Sequence, residues 1–179
     1  MRSLQHFISQ SPWCREGLLK IHQSMVVETL GAENGVILVD ESGMVKQGEH
    51  SVGVARQWCG SVGKVANSQV GVYLGYASPK GHSFLDARLY LPEEWFEDTL
   101  QSLRQVCGVP EELVYQTKPE IGLELLKNAL ERGELPWPMG GSGAVFVRWE
   151  LRTEHLMLPM YFFRNRLFSA GSGVVQLLR

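Results

Sequence analysis

The apolar positions of this 179-residue chain change period along its length, and those changes mark out its elements. Leu4, Phe7 and Ile8 recur at helical spacing, as do Leu18, Leu19, His22, Met25, Val26 and Leu30. Residues 1–34 therefore read as two helices broken at Ser11-Pro12-Trp13. Ser11 before Pro12 predicts an N-cap with proline at the first helical position, and Gly31 predicts the stop. Gly35-Val36-Ile37-Leu38-Val39-Asp40-Glu41-Ser42-Gly43 comes next. An apolar run bounded by turn formers predicts a strand buried on both faces, ending at its two carboxylates. From Met44 to Lys64 the glycines Gly48, Gly53, Gly60 and Gly63 exclude a long helix and predict a loop or hairpin.

Gln69–Tyr76 is rich in β-branched and aromatic residues, and Ser83–Leu91 returns as a second strand after the tight turn Ser78-Pro79-Lys80-Gly81. These make an antiparallel hairpin that joins the Asp40 strand in one sheet, with Asp86 and Arg88 expected as an exposed ion pair. Pro92-Glu93-Glu94 opens a helix through Trp95, Leu100, Leu103 and Val106 to Gly108. Thr117-Lys118-Pro119-Glu120 is a capping box, and Ile121, Leu125, Leu126, Ala129 and Leu130 continue it as an amphipathic helix closing at Gly133. Pro138–Gly143 is too glycine-rich for a buried strand, whereas Ala144-Val145-Phe146-Val147 fits a short one. Arg148–Arg179 shows no sustained period. A first strand ending in Asp, then a hairpin, then helices is the order of a ribonuclease H-like fold: an α/β mixed sheet flanked by helices, here incomplete on its C-terminal side.

Composition narrows the partners only slightly. With 44% hydrophobic and 20% charged residues the chain is an ordinary globular protein, and a net charge of -2 gives no overall basic character. Cys14, Cys59 and Cys107 stand far apart, which predicts free thiols rather than a disulfide framework. No apolar segment is long enough for a signal peptide or membrane span, so a cytoplasmic location and no membrane partner are expected.

Chemistry centres on Asp40. A carboxylate leaving a buried strand needs solvent, a hydrogen-bonding turn or a metal. Two readings stay open from these residues: Asp40 and Ser42 close a turn, or Asp40 binds a divalent cation. Lys46, His50, Arg56, Gln57 and Lys64 lie in the glycine-punctuated segment beside it, either as a phosphate-contacting surface or as solvated side chains. His50 and His82 have no second ligand at a metal-site spacing, and Glu150, Glu154 and His155 read as solvated tail residues. Gly140-Gly141-Ser142-Gly143 lacks the Lys-Ser/Thr of a P-loop.

A longer pattern links these pieces. Leu4-Gln5-His6-Phe7, Ser11-Pro12-Trp13, Val39-Asp40-Glu41-Ser42-Gly43 and His50-Ser51-Val52-Gly53-Val54-Ala55-Arg56-Gln57 are followed by Gln69-Val70-Gly71-Val72 and Tyr76-Ala77-Ser78-Pro79-Lys80-Gly81-His82. Leu89-Tyr90-Leu91-Pro92, Thr117-Lys118-Pro119-Glu120 and Leu135-Pro136-Trp137 complete the set. Together, over residues 4–137, they resemble bacterial insertion-sequence transposases of the DDE superfamily. The resemblance implies that Asp40 is the first acid of the catalytic triad and binds metal, with magnesium as cofactor. It also implies element-end DNA as substrate. On that reading the basic segment beside Asp40 offers Lys46, Arg56 and Lys64 as candidate DNA-phosphate contacts, and a homo-oligomer is a further expected partner.

The departures are equally specific. The family continues beyond Leu-Pro-Trp into a strand of the form Trp-Val-x-x-Asp that carries the second acid, and here the sequence has Met139-Gly140-Gly141-Ser142-Gly143. The final Glu and the N-terminal DNA-binding region have no counterpart either. The resemblance thus implies a partial catalytic core over residues 1–137 with a divergent tail over 138–179, inactive as it stands. The alternative is a non-catalytic DNA-binding or regulatory remnant, and a third reading is a relic that folds only in part. A frameshift after Trp137 accounts for the abrupt change. Reading the coding DNA beyond that codon in its other two frames checks this: Trp-Val-x-x-Asp is expected in one of them, and its absence from both contradicts the frameshift.

Overall fold

The computed structural model describes residues 6, 11–12, 14–133 and 135, together with the backbone of Ala144–Val147. Leu4, Phe7, Ile8, Pro138–Gly143, Glu150, Glu154 and His155 lie outside the described residues. Helix α1 (Arg15–Leu30) is followed by strands β1 (Val36–Val45), β2 (Ala55–Cys59), β3 (Lys64–Ser78) and β4 (Gly81–Tyr90). Two 3₁₀ turns (Glu93–Phe96 and Asp98–Leu100), the short helix α2 (Gln101–Val106), helix α3 (Lys118–Arg132) and strand β5 (Ala144–Val147) complete the order.

One mixed sheet organises these elements, and it is the ribonuclease H-like sheet expected from the sequence. Strand β3 pairs antiparallel with β1 along one edge and with β4 along the other, while its N-terminal end pairs with β2. Strand β5 lies on the far side of β1 and runs parallel to it, with Val36 opposite Ala144 and Val39 opposite Val147. The order β4-β3-β1-β5 thus makes β1 a central strand.

Only one face of β1 is buried among the described residues. Ile37 and Val39 are inside, whereas Leu38 is 38% exposed, which corrects the expectation of a strand buried on both sides. The reason is the placement of the helices. Helices α1 and α3 cover a single face, where Val26, Ile37, Val39, Val72, Leu74, Tyr76, Leu85, Ile121, Leu125, Leu126 and Ala129 form the main core. Gly122 permits that contact, because a Cβ there would lie 2.6 Å from Val39 Cγ1. A second cluster of Val54, Leu91 and Trp95 anchors residues 92–113, and Trp95 Nε1 donates to Val54 O at 2.9 Å.

The capping box forms as read: Thr117 Oγ1 accepts from Glu120 N–H and the Glu120 carboxylate accepts from Thr117 N–H. That backbone bond, then the Thr117 hydroxyl, holds the Glu120 carboxyl below its usual range. Helix α1 instead starts three residues after Pro12. Its N-cap is Cys14, whose Sγ accepts from Gly17 N–H, so Ser11 is not the cap. The inward face of α1 also differs from the apolar stripe: Gln23 is buried and Leu18 and Met25 are exposed. The Gln23 amide explains this by donating to Ala129 O at 2.8 Å, tying α1 to α3. The helix expected from Pro92 is realised as the two 3₁₀ turns followed by α2.

Asp86 corrects another expectation. It is buried rather than exposed, and Arg88 is not its partner. Its carboxylate takes Arg15 Nη2 at 2.6 Å and Arg132 Nη1 at 2.8 Å, while Arg88 pairs with Glu124 on α3 at 2.8 Å. A bulge causes this: the register shifts between Leu74 and Gly75, Leu85 goes unpaired, and both Leu85 and Asp86 turn inward.

Asp86 is 1% exposed and Arg132 7%, so removing the carboxylate leaves a buried cation without its main partner. Asp86→Ala is expected to cost about 3–5 kcal/mol in urea unfolding. Glu124→Gln, at the more exposed pair, is expected to cost less than about 1 kcal/mol, and equal losses would contradict the assignment.

Candidate functional site on the Asp40 face

Strand alternation separates the two carboxylates of β1. Ile37, Val39 and Glu41 turn towards α3, and Leu38, Asp40 and Ser42 towards the open face. Strand β1 continues to Val45, so no turn closes at Gly43 and the reading of Asp40 as a turn-closing acid falls. Asp40 stands in mid-strand, half-buried, opposite Tyr73. Its Oδ1 accepts from the Glu41 N–H at 2.9 Å.

Glu41 meets a different environment. Lys118 Nζ lies 2.6 Å from its Oε2, and the two side chains are only 17% and 15% exposed. The same ammonium sits 5.2 Å above the centre of the Tyr90 ring. Tyr90 Oη is 3.5 Å from Tyr115 Oη. Burial pushes the Tyr90 hydroxyl well above its ordinary value, helped by that bond and by the nearby Tyr115, Glu41 and Glu93. Lys118 was not a sequence candidate, although a signal existed. A cation at the first position of a helix opposes the helix dipole, so it calls for a carboxylate partner.

The three candidate cations do not form one group. The ladder runs one step past β1, with Lys46 N–H donating to Asn67 O at 2.9 Å, and Arg56 pairs with Asn67 from the other side. Cross-strand partners share a face, and even-numbered residues of β1 share the face of Asp40, so Lys46, Asn67 and Arg56 form a row on that face. Lys64 is opposite Cys59, whose side chain turns the other way to pack on Gly43. His50 and His82 are exposed, and among the described residues no three His, Cys, Asp or Glu side chains group as a metal site.

Asp40 offers a hard oxygen ligand at the open face, which suits magnesium or another divalent cation. The described residues fit one ligand of such an ion; they do not assemble the several carboxylates a metal pair requires. The four residues of β5, the parallel neighbour of β1, carry no acid.

An antiparallel three-strand unit, a parallel fourth strand beside β1 and a carboxylate on the central strand define a ribonuclease H-like α/β protein. The family described as DDE superfamily endonuclease matches residues 1–137, and the chain belongs to it. It is 30% identical over 137 residues to a protein of Microchaete diplosiphon described as a probable transposase for insertion sequence element IS701. That match covers 74% of this chain and 31% of the relative, so the chain spans about a third of the length of that protein. No solved structure matches. No helix among the described residues is long and apolar enough to cross a membrane.

The Glu41–Lys118 pair joins β1 to the start of α3. Lys118→Met and Glu41→Gln each leave one charge of a largely buried ion pair uncompensated and are each expected to cost about 3 kcal/mol, and the double variant less than their sum. Additive losses in denaturant unfolding would show that the pair is not coupled.

Proposed function

We propose that this chain carries part of the catalytic core of a DNA transposase. Asp40 contributes one ligand to a divalent cation, magnesium by preference, and positive charge for DNA phosphates comes from among the candidates Lys46, Arg56 and Lys64, which the register divides between two faces. The observation that carries the reading is the position of Asp40: half-buried, on the open face of the central strand, in a chain of this family. Asp40 would hold one such ion, and with further carboxylates to hold a second the pair would supply activation of an attacking oxygen and charge stabilisation of a leaving one.

The residues of the chain have narrower tasks. The Glu41 N–H fixes one Asp40 oxygen, which holds the carboxylate in one orientation. Lys118 neutralises Glu41 beneath the sheet, so the adjacent charge is satisfied away from the open face. Phosphate contacts by the cations position DNA without reading its sequence.

Cutting and joining DNA at element ends needs further carboxylates, so the chain alone is proposed to be inactive. A second reading, a non-catalytic DNA-binding module that interferes with an active copy, is favoured by the Lys46–Asn67–Arg56 row, which contains no acid of its own. Incubating the purified chain with supercoiled plasmid and magnesium or manganese tests the main reading: no nicking above an Asp40→Asn control is expected. Metal-dependent nicking that Asp40→Asn abolishes would overturn the proposed inactivity.

A further inference from the structure

Strands β1, β2 and β3 contain two acids, Asp40 and Glu41, and Glu41 is held by Lys118 on the opposite face. The far end of the Asp40 face is therefore free of strand carboxylates where Lys46 and Arg56 flank Asn67. Asn67 Nδ2 donates to Lys46 O at 3.1 Å and to Gly48 O at 3.0 Å, which fixes the backbone where the chain leaves β1. Its Nδ2 hydrogens are taken by these bonds, so Asn67 positions the backbone that carries Lys46 and stands as the cross-strand neighbour of Arg56. Two strand spacings put the backbones of Lys46 and Arg56 about 10 Å apart, within reach of neighbouring phosphates for two long side chains. Six residues of extended strand separate Lys46 from Asp40, about 20 Å, which exceeds the screening length of about 10 Å at 0.1 M salt.

We infer that Lys46 and Arg56 form one phosphate-binding row for duplex DNA on the Asp40 face, electrostatically independent of Asp40, and that Lys64 lies outside it. This rests on the DNA reading above and divides its three cations. Lys64 sits at the tip of the β2–β3 hairpin and shares the face of Cys59, so a duplex lying along the row does not meet it.

The test is fluorescence anisotropy of a labelled duplex of unrelated sequence with the full chain, titrated between about 50 and 200 mM salt. The double variant Lys46→Gln with Arg56→Gln is expected to flatten the slope of log affinity against log salt by about 2, one contact each. Lys64→Gln and Asp40→Asn are expected to keep the wild-type slope, and Lys46→Arg with Arg56→Lys to restore it. If the double glutamine variant keeps the slope, or Lys64→Gln flattens it equally, the row is wrong while DNA binding stands. If the wild-type chain binds no duplex at the lowest salt, both the row and the DNA reading fail.

Discussion

The buried carboxylate of Asp86 holds the parts of this fold in place. It draws Arg15 from α1 and Arg132 from α3 onto β4, at 2.6 and 2.8 Å, so three elements distant in sequence meet at one side chain. Taking a charge out of water is costly, and the cost is met only while both guanidinium groups stay. Gln23 reinforces the same junction through Ala129 O. With α1 and α3 fixed on one face, the opposite face of the sheet is the one that displays Asp40.

The same economy appears at β1. Two adjacent carboxylates would repel on one face, but strand alternation sends them apart. Glu41 goes down to Lys118 and becomes part of the packing between strand and helix, and Asp40 goes up to the open face. Gly122 lets α3 approach closely enough for that junction to form. The chemistry of the site thus depends on a division of labour between neighbouring residues that neither could perform alone.

Much of this architecture was legible in the residues. The Asp40 strand, the hairpin after it, the capped helix from Thr117 and the short strand Ala144–Val147 all follow from period and cap chemistry, and the family from its motifs. What escaped depended on partners far along the chain. The Leu85 bulge turns Asp86 inward, and no local pattern announces a bulge. Gln23 is buried because Ala129 O accepts its amide, which apolar periodicity counts against. Strand β1 runs past Gly43 because β3 pairs with it as far as Ser68, overriding the glycine as a stop signal. Lys46, Arg56 and Lys64 looked like one group in sequence, and only the register separates them into two faces.

The central claim is that Asp40 presents a cation ligand on the open face. Paramagnetic broadening by manganese in the amide spectrum of the labelled protein tests it most directly, because it reports weak binding by location. Broadening is expected first at Asp40, Glu41 and the cross-strand residue Tyr73, and it should vanish in Asp40→Asn. Broadening centred elsewhere, or unchanged in that variant, would contradict the account.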